Sequence, residues 1–427
     1  MTTSALTFGG LRTEIAGIPV PAIAERFGTP TYVYDMATIA KKINDLSMFD
    51  VVRYAQKACS NIAILDRMRR LGVVVDAVSA GEVMRALKAG FTAGGDPAPI
   101  VYTADVFDRE ALELVKKLHL HVNCGSPDMI EQLGALVPGA NVTLRINPGF
   151  GHGHSQKTNT GGAQSKHGIW HEQVDECLLQ ADRFGVMVSG IHMHIGSGTD
   201  LEHLAQVCGA MEKIVTKVGR SVTTISAGGG LPVPYRQGQT YVDLDQYFQL
   251  WDASRNRLQD VLGHAIRLEI EPGRYLVAES GFLVSEIRAV KRMGENVFYL
   301  LDAGFNDLAR PILYGAYHPI SITRRNASKS AEEIDVVVGG PLCESGDIFT
   351  QEEGGFVASR RLPVARVGDF LTLEVAGAYG FVMASNYNSR MRAEEVLIEN
   401  GQMLSIRRRE TFEDLIQNES IPPVAVA

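Results

Sequence analysis

The amino-acid sequence predicts an α/β fold, namely a (β/α)8 barrel of the TIM type followed by a mostly β C-terminal domain. Short apolar segments alternate with segments of helical spacing over roughly 235 residues, and there are eight of them, the number that closes a barrel. After Gly281 the alternation ends, and strand-like segments follow one another without intervening helices. A doubly wound sheet is the alternative, but the count of eight favours the barrel. We expect the barrel to span residues 34–284, and the β domain to combine residues 1–33 with residues 285–427.

The predicted barrel strands are apolar, rich in β-branched residues and of the length of buried strands. They are Asp50–Ala55, Val73–Val78, Ile100–Thr103, Leu120–Asn123, Asn141–Asn147, Val186–His194, Ser221–Ala227 and Ala265–Glu271. Between most of them, apolar residues recur every three or four positions, which predicts helices with one buried face. These stripes lie in Ile62–Leu71, Val83–Gly90, Leu112–Leu118 and Val207–Val218, and an earlier short helix is predicted at Pro21–Phe27.

The predicted β domain consists of short strands with turn-forming neighbours. They are Leu283–Lys291, Val297–Asp302, Ile334–Gly339, Phe370–Val375 and Val396–Glu399. The segment from Pro148 to Gly168 fits neither pattern, because it is long, polar and rich in glycine and histidine. Such a segment indicates a functional loop rather than a helix.

Composition excludes several classes of protein. Of the 427 residues, 45% are hydrophobic and 21% are charged, which excludes a disordered or fibrous chain. The net charge is 41 − 49 = −8, so we expect no general attraction to nucleic acid or to an anionic membrane. The five cysteines are widely spaced, which argues against a disulfide framework or a structural zinc site. We find no signal peptide and no apolar stretch long enough to span a membrane, and we expect a cytoplasmic enzyme.

Polar residues and glycines cluster where a barrel carries its active site, at the carboxyl ends of the strands. The segments that follow the predicted strands are Tyr54–Lys57, Asp76–Glu82, Arg145–Asn147, His192–Ser197, Gly228–Gly230 and Glu269–Arg274. Lys57 directly follows a buried strand, so its amine is paired, extended towards solvent or chemically used. A partly desolvated amine is a good nucleophile for a Schiff base.

Two histidines two positions apart share one face of a strand. His192 and His194 therefore suggest either a metal pair or a flat ring that stacks on a cofactor, and no nearby acidic pattern completes a metal site. Gly228–Gly230 lets backbone N–H groups approach a phosphate, although a tight turn explains three glycines equally well. Ser197 offers a hydroxyl to the same phosphate.

Glu271 ends the last predicted barrel strand, where a carboxylate needs a cation. That cation is either the nearby Arg274, in a purely structural ion pair, or the protonated pyridine nitrogen of a cofactor. An amine for an aldehyde, a ring to stack, a phosphate cradle and a carboxylate for a ring nitrogen together indicate pyridoxal 5'-phosphate. A protonated pyridine ring is a strong electron sink, which suits loss of CO₂ from an amino acid.

Six motifs in order resemble the diaminopimelate decarboxylase family, in the alanine-racemase-like fold type of pyridoxal-phosphate enzymes. They are YAQKA at Tyr54–Ala58, HMHIGS at His192–Ser197, GGG at Gly228–Gly230, EPGR at Glu271–Arg274, GPLCES at Gly340–Ser345 and GAYG at Gly377–Gly380. The resemblance covers essentially the whole chain. It implies a homodimer that converts meso-diaminopimelate to L-lysine and CO₂, the last step of lysine biosynthesis.

The resemblance also implies a role for individual residues. In the barrel, Lys57 resembles the Schiff-base lysine and His194 the histidine that stacks on the cofactor ring. Glu271 resembles the partner of the ring nitrogen. The residues that resemble phosphate contacts are Ser197, Gly228, Gly229 and Gly230, and further cofactor contacts are Gly273 and Arg274. Arg274, Arg310 and Tyr314 match ligands of a substrate carboxylate, Glu344 the ligand of the distal ammonium, and Tyr379 a residue that contacts phosphate and substrate. Cys343 matches the proton donor, which the family supplies from the opposite subunit, so the β domain is expected to complete the active site across the dimer. No metal is expected.

The sequence departs from the family pattern in two places. Gln56 and Cys59 stand where the commoner lysine motif has valine and asparagine, and the segment 149–168 is unlike the usual sequence. Taken alone, Cys343 reads as an inert buried thiol and Arg310 as a member of a surface ion pair, and only the order of the motifs gives them a role.

The main functional alternative is a decarboxylase of ornithine, lysine or arginine in the same fold type. Those substrates lack the distal carboxylate that Arg274, Arg310 and Tyr314 would bind, and ornithine enzymes usually carry aspartate where this chain has Glu344. A racemase needs a tyrosine base facing the lysine, and no such motif is present. A non-enzymatic pyridoxal-phosphate carrier is a single barrel, and residues 285–427 argue against it.

Overall fold

The structure is a computed structural model that describes residues 9–151, 161–194, 200–325, 332–352 and 354–422. It divides the chain into two compact units. The barrel unit comprises Thr38–Pro234 and Thr240–Val277, and the β unit comprises Met1–Ala37, Tyr235–Gln239 and Ala278–Ala427.

The N-terminal part of the β unit holds short strands around one helix. They are β1 (Gly10–Leu11), β2 (Glu14–Ile15), β3 (Ile18–Pro19), α1 (Val20–Phe27) and β4 (Thr31–Asp35). Helix α1 carries a proline in its first turn and ends at Gly28, where φ is +72°. The predicted helix is therefore confirmed, whereas the sequence analysis predicted none of these strands.

Nine parallel strands build the sheet of the barrel unit. They are β5 (Val51–Ala55), β6 (Val74–Ala77), β7 (Ile100–Ala104), β8 (His121–Cys124), β9 (Asn141–Asn147), β10 (Ile169–Trp170), β11 (Met187–His192), β12 (Thr224–Ser226) and β13 (Arg267–Ile270). Successive strands pair with each other, except that β10 pairs only with β9, and β9 pairs with β11 instead. The last strand, β13, pairs with the first, β5. Eight strands thus form a closed parallel barrel, and the predicted fold class is confirmed.

Helices follow most of the strands. They are α2 (Met36–Asn44), α3 (Ile62–Arg70), α4 (Ala80–Lys88), α5 (Arg109–Leu118), α6 (Pro127–Leu136), α7 (Val174–Phe184), α8 (Leu201–Val218), α9 (Leu244–Leu262) and α10 (Arg274–Val277). A polar side chain accepts a backbone N–H at the start of several of them. Asn61, Ser79, Asp108, Asp200 and Asp243 do so. These caps satisfy N–H groups that the first helical turn leaves unpaired, and they define the residue at which each of these helices begins.

A buried ion pair lies inside the barrel between its first and last strands. Arg53 on β5 donates from Nε and Nη2 to the Glu269 carboxylate on β13, at 3.0 and 2.9 Å. Both side chains are less than 10% exposed. The charges satisfy each other where the barrel closes, and neither one is left unpaired.

The C-terminal part of the β unit consists mainly of strands. They are β14 (Gly281–Met293), β15 (Asn296–Leu301), β16 (Ile320–Thr323), β17 (Glu333–Gly339), β18 (Arg360–Pro363), β19 (Phe370–Leu373), β20 (Glu394–Glu399) and β21 (Gln402–Arg407), with the short helices α11 (Arg310–Tyr314) and α12 (Phe412–Ile416). The sheet runs in the order β1-β16-β19-β14-β15-β17-β18, and β4 joins β14 to β20 and β21. Its core contains Ile15, Val20, Ile23, Val33, Val284, Phe370 and Ile398.

All five predicted strands of the β domain are present, but the N-terminal strands β1 to β4 and the later strands β16, β18 and β21 were missed. Strand β4 lies between β14 and β20, so its partners are far away in the sequence. Strand β18 has the sequence RRLP, which carries no apolar alternation. Among the described residues, no helix is long and apolar enough to cross a membrane.

Candidate active site

The turn that carries Lys57 is fixed against the segment after the last barrel strand. Residues Gln56–Ala58 form a single 3₁₀ turn directly after β5. The Ala55 N–H donates to the carbonyl oxygen of Pro272 at 3.1 Å. A Cβ atom on Gly273 would lie 3.3 Å from the Ala55 Cβ, so glycine permits this close packing. Lys57 is an exposed residue directly after β5.

Glu271 is a buried carboxylate held by two neighbouring strands. His192 Nε2 lies 2.7 Å from Oε2, and the Ser226 hydroxyl donates to Oε1 at 3.0 Å. Burial alone would raise the pKa of Glu271. The charge and hydrogen bond of His192, with the charge of Arg53 and the hydrogen bond of Ser226, instead lower it from 4.5 to about 2. The site therefore contains a buried negative charge at neutral pH.

The Gly228–Gly230 turn packs against Glu271 and His194. A Cβ atom on Gly229 would lie 2.5 Å from the Glu271 carbonyl oxygen, and one on Gly228 would overlap the carbonyl oxygen of Met193. Gly228 and Gly230 also have φ of +62° and +100°. Glycine is required here by both contact distance and backbone conformation.

His194 is fixed as a neutral ring beside this turn. The Gly229 N–H donates to Nδ1 at 2.7 Å, so Nδ1 is an acceptor. Burial, followed by the positive charges of Arg145 and Lys57, lowers the pKa of His194 well below its usual range. A neutral ring with an unprotonated Nδ1 carries its proton on Nε2.

The two histidines have different partners. Their rings lie 6.5 Å apart between centroids and are inclined by 17°. His192 binds Glu271, whereas His194 binds the glycine turn. In the part of the chain that the structure describes, no three histidine, cysteine, aspartate or glutamate side chains are grouped so that they could hold a metal.

Two acidic residues join the site although the sequence analysis gave them no role. Asp76 is the last residue but one of β6. It is 3% exposed, and its Oδ1 has no hydrogen-bond partner among the described residues. Burial and the charge of Glu271 raise the pKa of Asp76 to about 6, against the opposing charge of Lys57. Burial also raises the pKa of Glu82 to about 7. The signal that could have found them is their place after a barrel strand, where a buried carboxylate indicates a site.

In the β unit, Arg310 and Tyr314 lie one turn apart on helix α11. Arg310 is buried, with 8% exposure, whereas Tyr314 is 45% exposed. Arg310 Nη1 donates to the Tyr235 hydroxyl at 3.3 Å and to His318 Nε2 at 2.9 Å. Arg310 is therefore no surface arginine, which was the alternative interpretation of this residue.

Backbone hydrogen bonds hold the loop that carries Cys343 and Glu344. The Cys343 N–H donates to the Asn388 side-chain oxygen, and the Leu342 N–H donates to Asp347 Oδ2, both at 2.8 Å. The Cys343 side chain is exposed, as is Glu344. The alternative interpretation of Cys343 was an inert buried thiol, and its exposed position within the β unit excludes that interpretation.

Tyr379 adopts a backbone conformation that non-glycine residues rarely adopt. Its φ is +57°. Strain of this kind is retained where the surrounding structure imposes it, often at functional sites. Beside it, a Cβ atom on Gly380 would lie 2.9 Å from the Tyr32 ring.

Comparison with known proteins identifies the family. The pyridoxal binding domain of the pyridoxal-dependent decarboxylases matches residues 36–278. The diaminopimelate decarboxylase of Escherichia coli K12 is 53% identical over 409 residues, which are 95% of this chain and 97% of that protein. The chain belongs to the diaminopimelate decarboxylase family. The resemblance inferred from the six motifs is thereby confirmed.

Solved structures of the family agree with the fold. A crystal structure of diaminopimelate decarboxylase matches this chain with a TM-score of 0.90 and 54% sequence identity. The match covers 92% of this chain and 94% of the chain in that structure. The crystal structure of diaminopimelate decarboxylase from Helicobacter pylori complexed with L-lysine matches with a TM-score of 0.81 and 30% sequence identity. That match covers 93% of this chain and 98% of the chain in that structure.

The barrel residues fit the pyridoxal group that this family binds. Glu271 is ionised and can hold a protonated ring nitrogen. The glycine turn packs directly against Met193 and Glu271, where a Cβ atom would clash. The N–H groups of Gly228 and Gly229 donate to the Ser226 hydroxyl and to His194 Nδ1, so the Gly230 N–H is the group of this turn that suits a phosphate. The His194 ring is neutral, and Lys57 is an exposed residue. The buried Gln56 side chain, which departs from the commoner motif, has no hydrogen-bond partner among the described residues.

One predicted contact, Ser197, lies outside the described residues, and so does part of the segment 149–168. Both ends of that segment are tied to the barrel. Asn147 Oδ1 accepts the N–H groups of Gly149 and Gly162, at 3.1 and 2.9 Å. Asp105 accepts the Gly168 N–H at 2.9 Å and lies 2.6 Å from His167 Nδ1.

Proposed function

We propose that this enzyme decarboxylates meso-2,6-diaminopimelate to L-lysine and CO₂ with pyridoxal 5'-phosphate as cofactor, the last step of lysine biosynthesis. The observation that carries the proposal is the ionised Glu271 beside the glycine cradle, in a chain that matches this family along 95% of its length. A buried carboxylate that stays ionised stabilises a cation next to it, as the decarboxylation requires.

The barrel unit would bind and orient the cofactor. Lys57 anchors its aldehyde carbon, and the Gly228–Gly230 turn binds its phosphate. Glu271 holds the proton on its ring nitrogen, and Gly273 and Arg274, which follow Glu271 in the sequence, are further cofactor contacts. His194 presents a neutral ring to one face. The bound cofactor supplies an electron sink for the carbanion that loss of CO₂ leaves.

The residues matched by the family motifs to substrate contacts would bind the end of the substrate that does not react. Arg310, with Arg274 and Tyr314, binds the retained carboxylate, and Glu344 binds the ammonium group beside it. Tyr379 contacts phosphate and substrate. The supporting observation is that Arg310 is buried, where a guanidinium gains most from an anionic ligand.

We propose a homodimer in which each chain supplies Cys343 and Glu344 to the site of its partner. Support comes from the exposed thiol on a loop fixed by Asp347 and Asn388. In this arrangement the Cys343 thiol donates a proton to the carbon that has lost CO₂.

A substrate panel tests this function. CO₂ release by the purified enzyme is measured with meso-diaminopimelate, lysine, ornithine and arginine, and only the first should be turned over efficiently. Arg310→Ala should lower kcat/KM for meso-diaminopimelate by at least about 100-fold, with cofactor content unchanged. Arg361→Ala is the control, because Arg361 is an exposed residue of the same unit, 3.7 Å from Asp335. Equal turnover of lysine and meso-diaminopimelate would contradict the proposal.

A further inference from the structure

Two neutral side chains hold one end of the Arg310 guanidinium. Nη1 donates to His318 Nε2 at 2.9 Å and to the Tyr235 hydroxyl at 3.3 Å. The guanidinium carbon lies 5.1 Å from the centroid of the Tyr235 ring. The Tyr235 and His318 rings meet edge to face, with centroids 5.6 Å apart. His318 lies eight residues beyond Arg310, whereas Tyr235 comes from the separate segment Tyr235–Gln239.

The tautomer of His318 follows from its partners. A guanidinium nitrogen can only donate, so Nε2 of His318 is the acceptor and carries no proton. The proton is then on Nδ1, which donates to the carbonyl oxygen of Glu374 at 3.0 Å. The Glu374 N–H in turn donates to the carbonyl oxygen of Pro319 at 2.8 Å. His318 is 1% exposed, and both its ring and the backbone of the next residue, Pro319, are bound by Glu374, which follows β19.

Neutral partners suit an arginine that has to bind an anion. A carboxylate at the position of His318 would form an ion pair with the guanidinium and compete with the carboxylate of a ligand. An imidazole nitrogen accepts the hydrogen bond without bringing a negative charge to the guanidinium. Because the guanidinium is planar, two acceptors on Nη1 also orient its other N–H donors.

We propose that His318 is a positioning residue that, with Tyr235, fixes the guanidinium plane of Arg310 and so sets the preference for substrates with a distal carboxylate. The inference rests on the proposed function, in which Arg310 binds that carboxylate. Neither His318 nor Tyr235 was singled out by the sequence. Their role is visible only in the hydrogen bonds that converge on Nη1.

Two substitutions of His318 separate positioning from mere packing. His318→Gln can place its Oε1 near the position of Nε2, so it retains an acceptor for Arg310. His318→Asn places its amide near the position of Nδ1, so it can still donate to Glu374 but offers nothing to Arg310. Both variants remove the imidazole ring, and a purely structural role would make them similarly defective.

The assay compares ligands with and without the distal carboxylate. KM and kcat for meso-diaminopimelate are measured on the holoenzyme, with competitive inhibition by L-lysine and by 1,5-diaminopentane. L-lysine is the product and keeps the distal carboxylate, whereas the diamine has none. His318→Asn should raise KM and the Ki of L-lysine about tenfold, the loss of one hydrogen bond to a charged group, with kcat within about threefold. The Ki of the diamine should be unchanged, and His318→Gln should restore both constants to within about threefold of wild type.

Other outcomes overturn the inference. Equal defects in the Gln and Asn variants, a parallel rise of both Ki values, or loss of cofactor would assign His318 a packing role. If His318→Asn does not fold, Tyr235→Phe replaces it, because it keeps the ring and removes the hydroxyl. KM and the Ki of L-lysine should then rise together by about threefold, and no change would refute the proposal.

The proposed function fails in a different way. If the wild type releases no CO₂ from meso-diaminopimelate, the substrate is wrong, whatever the His318 variants do. If Arg310→Ala leaves the Ki of L-lysine unchanged, Arg310 does not bind the distal carboxylate, and positioning by His318 is excluded with it.

Discussion

Replacing Glu271 by glutamine tests the electrostatics of the barrel site most directly. The amide keeps the size of the side chain and an acceptor for the Ser226 hydroxyl, but it removes the charge. The fall in the pKa of Glu271 from 4.5 to about 2 corresponds to about 3 kcal/mol in favour of the carboxylate. Because the folded pKa lies below the unfolded one, this stabilisation is fully present above pH 4.5 and is lost only as the pH falls through about 2.

In the proposed function, Glu271 is ionised at the pH of an activity assay and presents its charge to the cofactor. Glutamine cannot keep the ring nitrogen protonated, so the electron sink weakens. The loss of one hydrogen bond to a charged group, up to about 3 kcal/mol, corresponds to a fall in kcat of up to roughly 100-fold. The assay measures CO₂ release and the cofactor content of the same preparation, which separates weakened chemistry from weakened binding.

Glu269→Gln is the matched control, because Glu269 lies two residues earlier and binds Arg53 instead. That variant leaves a buried guanidinium without its carboxylate, and its free energy of unfolding should fall by about 3 kcal/mol or more. The kcat of the folded fraction should stay within about threefold of wild type. The reasoning is refuted if Glu271→Gln keeps more than about a third of kcat with full cofactor content, or if both variants lose kcat equally.

Three further predictions concern the cofactor lysine, the dimer and a buried acid. Reduction of the holoenzyme with borohydride, followed by peptide mapping, should find the pyridoxyl group on Lys57, and Lys57→Ala should be inactive; a label on another lysine would contradict the assignment. Mixing inactive Lys57→Ala and Cys343→Ala proteins should restore about a quarter of the wild-type activity, because about half of the dimers are mixed and each contains one intact site; no recovery despite proven subunit exchange would mean that each chain builds its own site. Asp307 is buried, and burial raises its pKa from 3.8 to about 7, so the folded state loses at most about 4 kcal/mol of stability as the pH rises through that interval. Asp307→Asn should abolish this loss and raise Tm at pH 8, whereas parallel Tm curves for variant and wild type between pH 4 and pH 8 would argue against it.

The barrel was predictable because its information is local. Each strand is a short apolar run and each helix a stripe, so the eight units can be counted without knowing what they pack against. Parallel strands bring their carboxyl ends to one face of the barrel, which is why the ends of β5 and β13 pointed to Lys57 and Glu271. The family motifs then gave roles to Arg310 and Cys343, which have no local signal of their own.

The pairing of elements across the β unit was not predictable in the same way. Strand β4 follows a helix in the sequence, yet it lies between β14 and β20, which come more than two hundred residues later. The residues of such a strand do not show which other strand forms hydrogen bonds with its backbone N–H and C=O groups. Short strands without alternation, such as β18, carry even less signal.

Sequence alone therefore determined the barrel, the carboxyl-end residues Lys57, His194 and Glu271, and the family, because periodicity and motifs are properties of neighbouring residues. Only the tertiary structure decided which groups ionise and which way they face. Glu271 stays charged because His192 and Ser226 arrive from other strands, and Arg310 is oriented because His318 and Tyr235 meet at one of its nitrogens. The physical reason is that a pKa and a hydrogen-bond direction depend on burial and on charges a few ångströms away, and distance in space is not readable from distance along the chain.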